Sequence, residues 1–264
     1  MIPSLLLVLI GMLAGFSGSI VGLGGGFIVV PALAFLHGDL APAHITATSM
    51  AVLLFNSISS TMAYTRQKRI DFTAGLSFAA ASIPGSIIGA LAAERMTGKG
   101  FFVGFGCFLI TIALFLVFKP KKPLNLGLPV TVRRSFFDAG GTKFEYEYNL
   151  WLGVAISFFV GFLASLLGIG GGSLLVPTMT LLLLFPPHIA TATSMFTIFL
   201  TAIVSTGTYW MRGDIEWWLV LFLAPGAFLG GQLGARVAAK LPAKLILRIL
   251  SVMLIVVALR LITK

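Results

Sequence analysis

Charge is the scarcest property of this chain. Asp, Glu, Lys and Arg together supply 10% of its 264 residues, against roughly 25% in a soluble domain, which excludes a water-covered surface. Apolar residues supply 58%, and mean hydropathy is +1.05. With lipid as the solvent, backbone N–H and C=O groups must be satisfied inside helices or a closed barrel. Barrel strands alternate with period two over about ten residues. The stretches 50–64 and 245–259 stay apolar for longer, without alternation. The expected fold class is an all-α polytopic membrane protein in a lipid bilayer.

Other scarcities remove whole classes of function. A single cysteine, Cys107, excludes an intrachain disulfide and any Cys-based metal site; in its apolar run it reads as a small core residue. The histidines are His37, His44 and His188, and the eight acids lie mostly outside the apolar runs. There is no H-E-x-x-H or G-x-S-x-G pattern, no Gly-Lys-Ser/Thr, and no third glycine at 29 after Gly24-x-Gly26. No enzyme, metal or cofactor is therefore expected. The net charge of +10 comes without a basic patch interleaved with aromatics, so it reads as positive-inside bias rather than nucleic-acid binding. Residues 1–19 lack the basic start of a signal peptide. A similar segment recurs at 150–165, so the N-terminus is read as part of the fold.

What the chain does have is a duplication. Residues 15–31 read GFSGSIVGLGGGFIVVP and residues 161–177 read GFLASLLGIGGGSLLVP, an offset of 146. The offset becomes 145 where HITATSM from His44 meets HIATATSM from His188, and Tyr64 meets Tyr209. Asp71 matches Glu216, and Pro84, Gly85 and Gly89 match Pro225, Gly226 and Gly230. The division follows: a first transmembrane repeat over 1–118, a polar linker over 119–147 and a second repeat over 148–264. Each copy has four apolar segments, at 3–36, 44–65, 72–93 and 101–118, then at 148–185, 188–211, 217–238 and 245–262.

The first segment of each copy is too long for one pass of about 20 residues. Each is cut by glycines: Gly18, Gly22, Gly24, Gly25 and Gly26 in one, Gly168, Gly170, Gly171 and Gly172 in the other. Glycine costs roughly 1 kcal/mol against alanine inside a helix, so two half-helices joined by unwound backbone are expected, and Pro31 and Pro177 can kink the second halves. If each pair crosses the bilayer, one side gathers Arg66, Lys68, Arg69, six linker cations, Arg212, Arg260 and Lys264, twelve of the 18 cations. If each pair enters and returns, the copies are inverted. That side then gathers the 66–69 and linker cations with Arg236, Lys240, Lys244 and Arg248, thirteen of the 18. Arms of 11–15 residues reach only about 16–22 Å, which favours re-entrant hairpins and inverted repeats, each with three further transmembrane helices. Both arrangements put the linker in the cytoplasm.

The doubled order of G-x-G-G-G-x4-P followed by a His-led, T-S-rich stretch resembles the TauE/SafE sulfite exporter family over nearly the whole chain. The resemblance implies a transporter of small anions, often sulfur-containing ones such as sulfite, sulfoacetate or thiosulfate.

An anion crossing a bilayer needs its charge solvated without being trapped. A helix N-terminus offers free N–H groups and about half a positive charge, and glycine lets a ligand approach the backbone. Gly24, Gly25, Gly26, Gly170, Gly171 and Gly172 are candidate ligand-binding positions; their alternative role is close helix packing. Thr46, Thr48 and Ser49, with Thr191, Thr193 and Ser194, either donate to the anion or cap helix starts. Ser173 and Asn56 are further candidates, Asn56 equally as an interhelical bond. His44 and His188 could couple transport to protons, although interfacial loop positions are the preferred reading.

Asp71 and Glu216 read as helix caps, the Gly85/Gly89 and Gly226/Gly230/Gly234 stripes as helix contacts, and Tyr209, Trp217 and Trp218 as interface anchors. The expectation is an exporter of a small anion in the cell (inner) membrane. A proton-coupled uptake carrier, a passive anion channel and an accessory membrane subunit are the alternatives. Oligomeric state is left open.

Overall fold

The structure, a computed structural model, describes residues 4–93 and 129–242 and the single positions 110, 245 and 252. The first copy holds α1 (Ser4–Val21), α2 (Gly26–Leu36), α3 (Pro42–Arg66) and α4 (Phe72–Ala93). A hairpin of β1 (Val132–Phe137) and β2 (Lys143–Tyr148) follows, then α5 (Leu150–Leu167), α6 (Gly172–Leu181), α7 (Pro187–Met211) and α8 (Trp217–Ala238). Six helices, α1, α3, α4, α5, α7 and α8, are long and apolar enough to cross a membrane. The fourth segments expected at 101–118 and 245–262, and Cys107, lie outside the described residues apart from those single positions.

Local chemistry sets the helix starts. Proline opens α3 and α7, where its missing N–H costs nothing and its φ is already helical. Asn149 accepts from the Leu152 amide to cap α5 at 2.9 Å, and Asp71 accepts from the Ala74 amide to cap α4 at 3.0 Å. Glu216 makes no such bond. Pro31 and Pro177 lie inside α2 and α6 without ending them.

The two halves of the chain interlock rather than stand side by side. Helix α1 packs on α8 and α4 on α5, while α3 and α7 form the centre and touch both. The small-residue stripes make these crossings: a Cβ on Gly226, Gly230 or Gly234 would collide with the carbonyls of Val8, Met12 and Phe16. One on Gly85 or Gly89 would collide with those of Phe158 and Phe162. Helix association in lipid relies on such close backbone approach.

Hydrogen bonds locate the helix ends. The loop after α3 meets the start of α7, because the Asp71 amide donates to Thr193 Oγ1 at 3.0 Å. The loop after α7 meets the start of α3, because the Glu216 amide donates to Thr48 Oγ1 at 3.1 Å. Gln67 Nε2 donates to the Ala235 carbonyl at 3.0 Å, bringing the end of α8 to the end of α3.

Three expectations need correction. The all-α reading missed the hairpin. Its strands alternate half-buried and exposed residues around the Gly140-Gly141 turn, and the second runs to Tyr148, one residue beyond the expected linker. The first arms of the broken pairs, α1 and α5, are 18 residues each, about 27 Å, longer than the 11–15 expected. Tyr209 is fully buried and donates to the Ser165 carbonyl at 2.8 Å, so it is a core residue. Trp217 and Trp218 are half exposed, as anchors would be.

The hairpin is docked, not loose. Arg69 forks onto Asp138 Oδ2 at 3.1 and 2.8 Å, and the Ala139 amide donates to the Gln67 carbonyl at 2.9 Å. Arg134 and Tyr146 both donate to Asp71 Oδ2, at 3.2 and 2.8 Å. Tyr146 and Tyr148 pack with Phe185 beyond the end of α6. Burial, then the neighbouring Asp71 carboxylate, push the Tyr146 phenol far up and that of Tyr148 up to about 12. Both stay protonated, and Tyr146 stays a donor.

Candidate functional site

Both glycine breaks exist, and they cross. Residues Gly22–Gly25 separate α1 from α2, and Gly168–Gly171 separate α5 from α6, with left-handed φ at Gly22, Gly24, Gly25, Gly168 and Gly170. A Cβ on Gly26 would collide with the Gly168 carbonyl, and one on Gly172 with the Gly22 carbonyl. The N-termini of α2 and α6 therefore start against each other's break in the buried middle of the bundle.

Hydroxyls from the central helices tie the crossing. Ser49 Oγ donates to Gly168 O at 2.7 Å and Ser194 Oγ to Gly22 O at 2.7 Å, each reaching into the other copy. Thr46 and Thr191 lie against the same breaks, beside Gly168 and Gly22. Both are fully buried, and their hydroxyls have no partner among the described residues. Such a group normally costs about 1–3 kcal/mol. Asn56 donates through Nδ2 to Gly24 O at 2.7 Å and accepts from Ser19 Oγ at 3.1 Å. Ser173 Oγ lies 3.5 Å from Gly170 O.

The remaining candidates stand apart from the crossing. Thr48 and Thr193 hold the loops before α8 and α4. His44 Nδ1 is 3.1 Å from Glu216 Oε1, with both side chains about one-third exposed. Among the described residues His188 makes no matching pair, and Asp71, which corresponds to Glu216, is engaged by Arg134 and Tyr146.

Sequence reading missed a polar stripe on α7. Thr197, Thr201 and Ser205, four residues apart, share one face and border a cavity with Gly170, Gly171 and the α4 residues Ser82 and Ser86. The spacing of four within an apolar helix was the available signal. The cavity has about 10 Å³ of free volume, room for about one water. The amides of Gly170, Gly171 and Gly172 make no hydrogen bond to a described residue.

Six long apolar helices around two crossed, buried backbone breaks define a multi-pass integral membrane protein of the transporter type. Residues 7–261 match the model of the family described as "Sulfite exporter TauE/SafE"; the chain belongs to this family. It is 43% identical to "Probable membrane transporter protein YunE" of Bacillus subtilis over 97% of this chain and 96% of that one. It is 30% identical to "Probable membrane transporter protein ORF9" of a Sinorhizobium species, over 83% and 77% of the two chains. Identity to "Probable membrane transporter protein YfcA" of Escherichia coli K12 is 28%, over 84% and 76%. These relatives are transporters by name, not enzymes. No solved structure matches the chain.

Proposed function

We propose that the protein exports a small sulfur oxyanion, such as sulfite, sulfoacetate or thiosulfate, across the cell (inner) membrane. The anion is held at mid-bilayer by the glycine-lined starts of α2 and α6 and by Ser and Thr hydroxyls. The crossing of the two breaks carries this reading: it brings two helix N-termini together in the buried centre, where free amides and helix dipoles solvate negative charge. No Lys or Arg lies among the crossing residues, which suits an anion that must leave again.

The two copies are inverted and their broken pairs re-enter, with residues 1–118 and 148–264 as the repeats and the 119–147 linker in the cytoplasm. Three contacts support this. Arg69 pairs with the hairpin residue Asp138, and Gln67 bonds Ala235 next to Arg236, so these cations share the linker end. Arg212 instead donates to the Ala90 carbonyl at the far end of α4, at 3.3 Å. These contacts match the cation distribution expected of the re-entrant arrangement, which would obey the positive-inside rule.

Export needs no coupling ion. A monovalent anion leaving a negative-inside cell gains about 2.3 kcal/mol per 100 mV. The test is sulfite flux in proteoliposomes under an imposed potential. Flux should rise with the voltage that pulls the anion out; flux indifferent to voltage would rule out electrogenic export. Faster efflux with sulfite on the far side would mark a carrier rather than a channel.

A further inference from the structure

The two breaks are built alike but filled differently. The offset that pairs Ser49 with Ser194 also pairs Asn56 with Thr201 and Ser60 with Ser205. In the first copy the Asn56 amide reaches into the break, donating to Gly24 O and accepting from Ser19. Gly231 leaves it room, since a Cβ there would lie 2.6 Å from Asn56 Oδ1. In the second copy Thr201 is too short to do the same. Its hydroxyl turns back onto the Thr197 carbonyl of its own helix at 3.0 Å. The space that an amide fills in the first copy is, in the second, the cavity between the Gly170–Gly171 backbone and Thr197, Thr201 and Ser205.

We propose that this second-copy chamber is the oxyanion-binding site and that the first break is a filled structural twin, so a duplicated protein carries one site rather than two. The inference rests on the transport reading above and assigns it a place. The polar side of the chamber suits a small anion that accepts hydrogen bonds, while Met50, Leu53, Val160, Leu175 and Ile198 make the rest of its lining apolar. Gly170 and Gly171 border it, their amides making no hydrogen bond to a described residue, and the 10-residue helix α6 begins directly after them. The hydroxyls of Thr201 and Ser205 now bond carbonyls of their own helix, and that of Ser82 bonds the Ser157 carbonyl on α5 at 2.8 Å; each can rotate to donate to a ligand instead. Among its lining residues none is charged. With room for about one water, it accepts a sulfur oxyanion only as α4, carrying Ser82 and Ser86, parts from α7.

The full chain in proteoliposomes, and crystals soaked in selenite as a heavy-atom analogue of sulfite, provide the test. Thr201→Asn gives the second break the side chain of the first, and Thr201→Val removes the hydroxyl at constant shape. Thr201→Asn should lower sulfite flux at least about tenfold, or 1.4 kcal/mol, and Thr201→Val should lower it several-fold. Anomalous density for selenite should stand beside Gly171 and Thr201 in the wild type and vanish in Thr201→Asn. Unchanged flux in both variants, or selenite bound only beside Gly24 and Asn56, would overturn the assignment while leaving transport intact. Selenite in the chamber of a wild type that moves no sulfur oxyanion would keep the site and end the transport reading.

Discussion

Ser49 donates its hydroxyl to the carbonyl of Gly168, 119 residues further along the chain. The corresponding Ser194 donates to Gly22, 172 residues back. Each half thus ties down the unwound backbone of the other, and among the described residues the Gly168 and Gly22 carbonyls are satisfied only by the partner half's serine. In lipid no water would replace these bonds.

Ser49→Ala and Ser194→Ala should therefore destabilise by similar amounts, about 2 kcal/mol each, the middle of the range for a buried acceptor losing its donor. Thermal unfolding in detergent measures this. An unchanged midpoint in either variant would mean that the ties are incidental.

The glycines of the breaks should not respond alike to a methyl group. Gly25 has φ of 91° and presses on the Ala14 carbonyl, so Gly25→Ala meets both left-handed strain, about 1–2 kcal/mol, and a backbone collision. Gly171 is right-handed, with φ of −61°, and its nearest neighbour would be Val160 Cγ1 at 3.0 Å, a side chain that can shift. Monodisperse protein on size exclusion is expected for Gly171→Ala and aggregation for Gly25→Ala. The reverse order would contradict the break geometry.

Docking of the hairpin should depend on acid in one direction. Burial pushes the Asp138 carboxyl up, but the Arg69 guanidinium and the Thr142 and Gly140 amides outweigh it and hold the group below the usual carboxylate range. A depressed folded value means that this stabilisation is fully present above the unfolded value of about 3.9 and is lost as pH falls through the folded one. Proteolysis within 138–142 should stay slow at pH 5 and accelerate only in stronger acid. Asp138→Asn should be cleaved quickly at both. Rapid cleavage of the wild type at pH 5 would contradict the latch.

His44 and Glu216 pair at the end of the bundle away from the hairpin, whereas His188 makes no ion pair among the described residues. Export driven by voltage alone makes both histidines dispensable for coupling. Double replacement by Gln should leave the ratio of sulfite flux at pH 6 to that at pH 8 unchanged. Loss of a pH gradient's power to drive the anion in this variant would revive proton-coupled uptake.

Most of the architecture was legible because it follows from local terms. Apolar length marks the spans, and Gly22–Gly26 and Gly168–Gly172 mark the breaks because glycine disfavours helix. Asp71 could be foreseen as a cap by its position before Phe72. The hairpin was legible too, in the alternation VRRSFF and KFEYEY around two glycines, but a polar linker of mixed charge hid it. Tyr209 was misjudged because aromatic residues near a span end usually lie at the interface, and nothing local reveals that its hydroxyl faces Ser165.

Composition and the two glycine clusters alone mark a helical membrane protein with two broken segments, since those properties are additive along the chain. Which carbonyl Ser49 would bond, that the starts of α2 and α6 would meet, and that Asn56 would fill one break while Thr201 leaves space in the other depended on the folded arrangement. Those contacts join residues far apart in the chain. Their existence is set by how the helices of the two copies pack through each other, and no short stretch of sequence encodes that packing.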